Sequence, residues 1–134
     1  MFMDRRLQVS VQQAITGTVA STDNIDLGSA LRLIGPGDPL WWIIAARVAL
    51  NGGTLDITVQ TDDAAGFGSP VAVASHPQVA AAAFTLGTRL VIPMFFNNER
   101  FLRLNYVLGA NTATVDAWLT NQHPSAWMAL PDAI

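Results

Sequence analysis

An all-β fold, an antiparallel sandwich, is the class this sequence predicts, and three observations predict it. Apolar and polar residues alternate with period two through Phe101–Val107 and again through Thr112–Leu119, the pattern of strands with one face buried. Turn chemistry recurs at short intervals, at Gly28, Gly35-Pro36-Gly37-Asp38-Pro39, Asn51-Gly52-Gly53 and the loop Thr61–Pro70. No segment carries a convincing amphipathic helical period.

Residues 1–17 alternate poorly and lack helical spacing, so they predict an extended N-terminal arm with room for a short helix. A sandwich domain then covers 18–121. Its first strand is Thr18–Leu27, kinked at Ser21-Thr22-Asp23-Asn24 and closed by Gly28. Leu40–Leu50 is the strongest strand, ended by Asn51-Gly52-Gly53 with its hairpin chemistry. Thr54–Thr61 alternates cleanly, with Leu55, Ile57 and Val59 on one side and Asp56, Thr58 and Gln60 on the other. Val71–Ser75, Ala82–Leu86, Arg89–Met94, Phe101–Val107 and Thr112–Leu119 bring the total to about eight strands, the number of a jelly roll. Residues 122–134, apolar and broken by Pro124 and Pro131, predict an extended C-terminal arm.

The 134 residues are one domain by length and suffice for an ordinary core, since folding at this size hides roughly two-thirds of the unfolded surface. There is no cysteine, hence no disulfide scaffold. Only 13% of residues are charged while 51% are hydrophobic, so part of the surface is expected to face protein rather than water. A net charge of −3 argues against nucleic acid, which requires a basic stripe. All seven basic residues are arginine, the cation enriched at contact surfaces. Leu40–Ala46, the longest apolar run, is too short to span a bilayer, and Asp4, Arg5 and Arg6 interrupt any signal-peptide core, so no membrane partner and an intracellular site of synthesis are expected.

The Leu40–Leu50 strand is informative in another way. Trp42, Ile44, Ala46, Val48 and Leu50 form one row; Trp41, Ile43, Ala45 and Arg47 form the other. Both rows are apolar, yet a two-layer sandwich covers one face only, so the second face needs its own cover from a terminal segment or a neighbouring subunit. Leaving one tryptophan in water forgoes roughly 4–6 kcal/mol as an upper bound. Trp118 and the tail pair Trp127 and Met128 pose the same question, and three such sites favour an interface.

Chemistry finds little support. His76 and His123 each precede a proline, which reads as loop punctuation, and no serine elbow or cysteine joins them as a triad. Asp23, Asn24, Asp26, Asp62 and Asp63 lack the spacing of a calcium loop, and such residues in turns cap their own backbone. Asp56 and Asp116 read as solvated carboxylates. Phe95 and Phe96 read as one core and one contact residue. Arg100 and Arg103 flank the start of a strand and are expected to pair with acidic groups on this chain or a partner. Neither a cofactor nor a metal is called for, and the chain is not expected to be an enzyme.

An ordered series of segments carries a resemblance. Asp4-Arg5-Arg6-Leu7-Gln8-Val9-Ser10, Gln13-Ala14-Ile15-Thr16, Ala20–Gly28, Thr58–Asp63, Phe67-Gly68-Ser69-Pro70 and Arg100–Tyr106 together resemble the jelly-roll cement, or head decoration, proteins of tailed phages. The similarity runs to about Leu119, and the tail from His123 departs from it. The resemblance implies a structural virion protein on the capsid exterior, made in the host cytoplasm. Its implied partners are an HK97-type major capsid protein and other copies of itself, a dimer ahead of a trimer. The interface residues it points to are Phe2, Leu7, Trp41, Ile43, Arg100, Arg103, Trp118, Trp127, Met128 and Leu130, with those in the arms as apolar anchors. A carbohydrate-binding jelly-roll module is the alternative. A cupin-type enzyme ranks third, for want of a histidine cluster.

Overall fold

The computed structural model describes residues 5–28, 40–94 and 99–121. Among these, seven strands form one antiparallel sheet: β1 (Gln8–Ala20), β2 (Ile25–Asp26), β3 (Leu40–Val48), β4 (Thr54–Asp62), β5 (Val71–Ala80), β6 (Arg89–Met94) and β7 (Phe101–Thr120). The path runs β5-β4-β7-β3-β6, with β1 and β2 along the other edge of β7. The predicted all-β class is the observed one.

Strand β7 organises the molecule. Its first half, Phe101 to Val107, pairs with β4; its second, Thr114 to Thr120, pairs with β3. Strand β1 follows both halves, from Gln8 opposite Trp118 to Ala20 opposite Asn105. The sheet therefore folds across the middle of β7 into two facing layers. The outer strands of those layers, β5 and β6, come into contact, so the sandwich approaches a barrel.

Two glycines make the corner. Gly109 (φ +62°) lies opposite Gly17 (φ +66°) across the β1–β7 ladder, and the register of β1 shifts on both sides of Gly17. Both occupy the left-handed region that side chains with a Cβ disfavour. The bend also reverses which parity points inward. Leu102, Leu104, Tyr106 and Leu108 are buried before it, and Ala113, Val115, Ala117 and Leu119 after it. Side chains of both layers meet in one core around Trp42, Ile44, Leu55, Ile57, Val59, Ile92, Leu104 and Tyr106.

Several expected boundaries are corrected. The two runs Phe101–Val107 and Thr112–Leu119 are one strand, because the glycine bend leaves the backbone extended while breaking the alternation. The expected arm over 1–17 gives way at Gln8 to β1, which buries Val9 and Ile15 in the core. Its irregular pattern comes from register shifts between Gln8 and Ser10 and between Ser10 and Gln13, with Gln12 at φ +45°. Ala82–Leu86 is not a strand; Ala81–Ala83 form a 3₁₀ turn, Phe84 plugs the core and Leu86 projects outward. A run of alanines offers little to a pleated surface. Strand β5 continues past Pro77 to Ala80, which its position at the sheet edge permits. Val48 leaves the inward row of β3 at a shift between Ala46 and Val48 and is 56% exposed. The expected first strand Thr18–Leu27 is instead the end of β1 and the short β2, parted at the kink over 21–24. The turn at 35–39, Phe95, Phe96 and the C-terminal arm at 122–134 lie outside the described residues.

The β1 irregularities are held by a polar network. The Tyr106 hydroxyl, fully buried, lies 2.9 Å from Ser10 Oγ, and Ser10 Oγ donates to Gln13 Oε1 at 2.7 Å. Gln13 Nε2 donates to Ala20 O at 2.8 Å, while its Oε1 also accepts from Thr22 N at 2.9 Å. Buried polar groups that all find partners fix one register where apolar packing would tolerate several.

Candidate interaction surface

Alternation along β3 sends Trp42, Ile44 and Ala46 into the core and turns Trp41, Ile43, Ala45 and Arg47 outward. Sheet register then assembles transverse rows on the outer face. Ile43 stands between Trp118 and Val91, and Trp41 between Thr120 and Pro93. Ala45 stands between Asp116 and Arg89. Trp41 and Ile43, which precede Trp118 by 77 and 75 positions, thus join it in one apolar patch. Ile43 is fully buried and Trp118 nearly so, although neither belongs to the core between the layers, and Trp41 is partly exposed. The two-sided burial demanded by the doubly apolar pattern of this strand is met at Ile43.

Beside the patch opens a depression of about 550 Å³ lined by Ala45, Arg47, Leu86, Arg89, Asp116 and Trp118 among others. Asp116 is more engaged than a solvated carboxylate. Its Oδ1 accepts from the backbone N–H of Gln12 at 2.6 Å, and Oδ2 lies 3.4 Å from Arg47 Nε. Asp116 therefore anchors the left-handed bulge of β1 to β7, while Arg47, 52% exposed, leans over it. Arg89 is exposed and makes no ion pair among the described residues.

Arg100 and Arg103 belong to the other layer. Arg100 grips Asp26 with two hydrogen bonds, Nε to Oδ1 at 2.7 Å and Nη2 to Oδ2 at 2.9 Å, and stacks over Phe101. That grip, reinforced by the N–H of Gly28, holds the Asp26 carboxyl down at about 2. Arg103 donates from Nε to Gln60 Oε1 at 2.8 Å and lies 4.2 Å over the ring of Phe67. Phe67 sits at the tip of the 62–70 loop at φ +49°, edge-on to Phe101. Asp62 ties that loop down by accepting from Ser69 N at 2.8 Å and Ala64 N at 3.1 Å, and these bonds lower its pKa. Both arginines are engaged within the chain.

The residues singled out in the sequence thus fall into separate places. Trp41, Ile43 and Trp118 come together on the β3 layer. Arg100 and Arg103 share the β4 layer. Leu7 packs, partly buried, against the core. Phe2, Trp127, Met128 and Leu130 lie outside the described residues. His76 is in strand β5 rather than a loop, its Nδ1 donating to Pro77 O at 2.7 Å, and His123 lies outside the described residues. Among the described residues no three His, Asp or Glu side chains converge as a metal site, and no helix is long and apolar enough to cross a membrane. The row Asp116–Ala45–Arg89, and Leu86 beside it in the lining of the hollow, escaped sequence reasoning, because only the fold brings together residues so far apart in the chain.

Fold and surface together define an antiparallel β-sandwich, corner-bent through one long strand, with an apolar patch and an arginine-flanked hollow on one outer face. A family model described as Bbp16 matches residues 9–119, and the chain belongs to that family. The matched stretch begins in β1 and ends in β7, so it is the sandwich itself, β1 included. No curated protein matches the chain.

Proposed function

We propose that this protein is a capsid cement protein, which binds the outside of an HK97-type tailed-phage shell as a homo-oligomer and ties neighbouring capsomers together. One observation carries the reading: an outer sheet face that leaves Trp41 partly exposed beside Ile43 and Trp118 and holds Leu86 74% exposed, on a chain with few charges. Contact faces of this make-up, aromatic and poor in charge, suit protein partners. The ordered resemblance to phage head decoration proteins supplies the kind of partner.

The physics of the role fits the fold. A cement protein resists outward pressure through many modest contacts repeated by symmetry, so each copy must be stiff and its contact faces preformed. The bent β7, paired along both edges, supplies stiffness. A sugar platform, by contrast, needs several aromatic faces in solvent, whereas among the described residues Trp42, Phe67, Phe84, Phe101, Tyr106 and Trp118 are buried and Trp41 is only partly exposed.

Co-sedimentation with expanded and unexpanded shells of a capsid protein encoded beside this one tests the reading. Saturable binding to expanded shells is the expected result. Binding to neither form overturns it.

A further inference from the structure

We propose that the hollow between Arg47 and Arg89 is the docking site for an extended segment of the shell protein that presents a carboxylate next to an aliphatic side chain. The assignment rests on the capsid reading above and names the chemistry of its partner.

Charge complementarity specifies the carboxylate. The whole chain carries −3, yet this hollow is bordered by two guanidinium groups and one carboxylate. That carboxylate, Asp116, is already committed to Gln12 N and Arg47. Arg89 stands across Ala45 from it in the same transverse row, without an ion pair among the described residues. Between them Ala45 contributes only a methyl group, which leaves the room. A planar guanidinium recognises a carboxylate through paired hydrogen bonds.

Leu86 specifies the aliphatic neighbour. It is 74% exposed, the most exposed large hydrophobic residue among those described. Its presentation is rigid: Thr88 N donates to Thr85 O at 3.0 Å, and Gly87 N donates to Ala46 O at 3.0 Å. An apolar side chain held out on a fixed turn loses little freedom on docking, which favours a binding anchor.

The test uses full-length Arg89→Glu, Arg89→Lys and Leu86→Asp variants in co-sedimentation with expanded shells, with melting temperature and solution mass measured alongside. Arg89 and Leu86 are exposed, so unchanged melting is expected. Arg89→Glu and Leu86→Asp should each weaken shell binding roughly tenfold or more, Arg89→Lys should weaken it less, and added salt should weaken the wild type more than Arg89→Glu. Variants that bind like the wild type overturn this assignment and leave the capsid reading standing. A wild type that binds no shell overturns both. A change in solution mass in Arg89→Glu would instead give the hollow to a second copy of the chain, which also overturns the assignment.

Discussion

Two side chains show how single residues set the pH limits of this fold. Asp26, gripped by Arg100 and the Gly28 amide, has its carboxyl lowered from 3.8 to about 2. A depressed carboxyl contributes stability that is fully present above its unfolded value and is lost as pH falls toward the folded one. The protein should therefore lose stability between about pH 4 and pH 2, and Asp26→Asn should flatten that part of the profile in urea melts taken across the range. A profile identical to wild type would show that the pair is screened into irrelevance at the surface, where such pairs contribute little. Tyr106 acts at the other end. Burial pushes its phenol above the ordinary 10.0, opposed in part by the bond to Ser10. The native state then holds a proton that the unfolded chain releases, so stability falls as pH rises past 10. This is the chain's only tyrosine, and phenolate absorbance should appear only with unfolding. Tyr106→Phe removes one hydrogen bond but leaves Ser10 its bond to Gln13, so the cost should be about 1 kcal/mol in denaturant unfolding.

Among the elements, the β7 corner has the clearest consequence. At Gly109, with φ +62°, an added Cβ meets nothing within 4 Å, so Gly109→Ala should cost only the strain of a left-handed alanine, about 1 to 2 kcal/mol. Gly109→Asn should cost less, since asparagine tolerates that conformation, and equal losses for the two variants would place the cost elsewhere than in φ. The same corner explains what was legible in the sequence. Strands β3 and β6 were readable as short apolar runs, while regular alternation made β4 readable almost to the residue, along with both halves of β7. Their continuity was hidden, because a left-handed glycine reverses the inward parity without ending the strand. In β1 the bulges bury the adjacent Val9 and Ser10 and leave Val11 exposed, so no single period runs through the strand and a core strand looked like an arm. Of the interaction surface, the apolar patch was visible in the double row of β3 and in Trp118. Arg89, Leu86 and the anchoring role of Asp116 were not, since each gains meaning only from register with a strand distant in the chain.

At the scale of the whole molecule, the sharing of β7 and β1 between layers decides how the protein unfolds. A sandwich of two separate sheets can open by parting its layers. Here β4 and β3 are hydrogen-bonded to the same strand, and β1 ties Gln8 to Trp118 in one layer and Ala20 to Asn105 in the other. Loss of either layer unpairs half of β7 and exposes the core side chains of the other. The two layers should therefore unfold as one cooperative unit. Trp42 and Trp118 report on the β3 layer through fluorescence, and amide exchange at Ile57 and Val59 reports on the β4 layer. Coincident urea midpoints, and exchange from both layers at the global free energy, are the expected result. Earlier exchange from β4 would mean that the corner is a hinge rather than a lock. A lock is what a protein needs if it is to carry load between neighbours, because a copy that opened at its corner would yield before its contacts did.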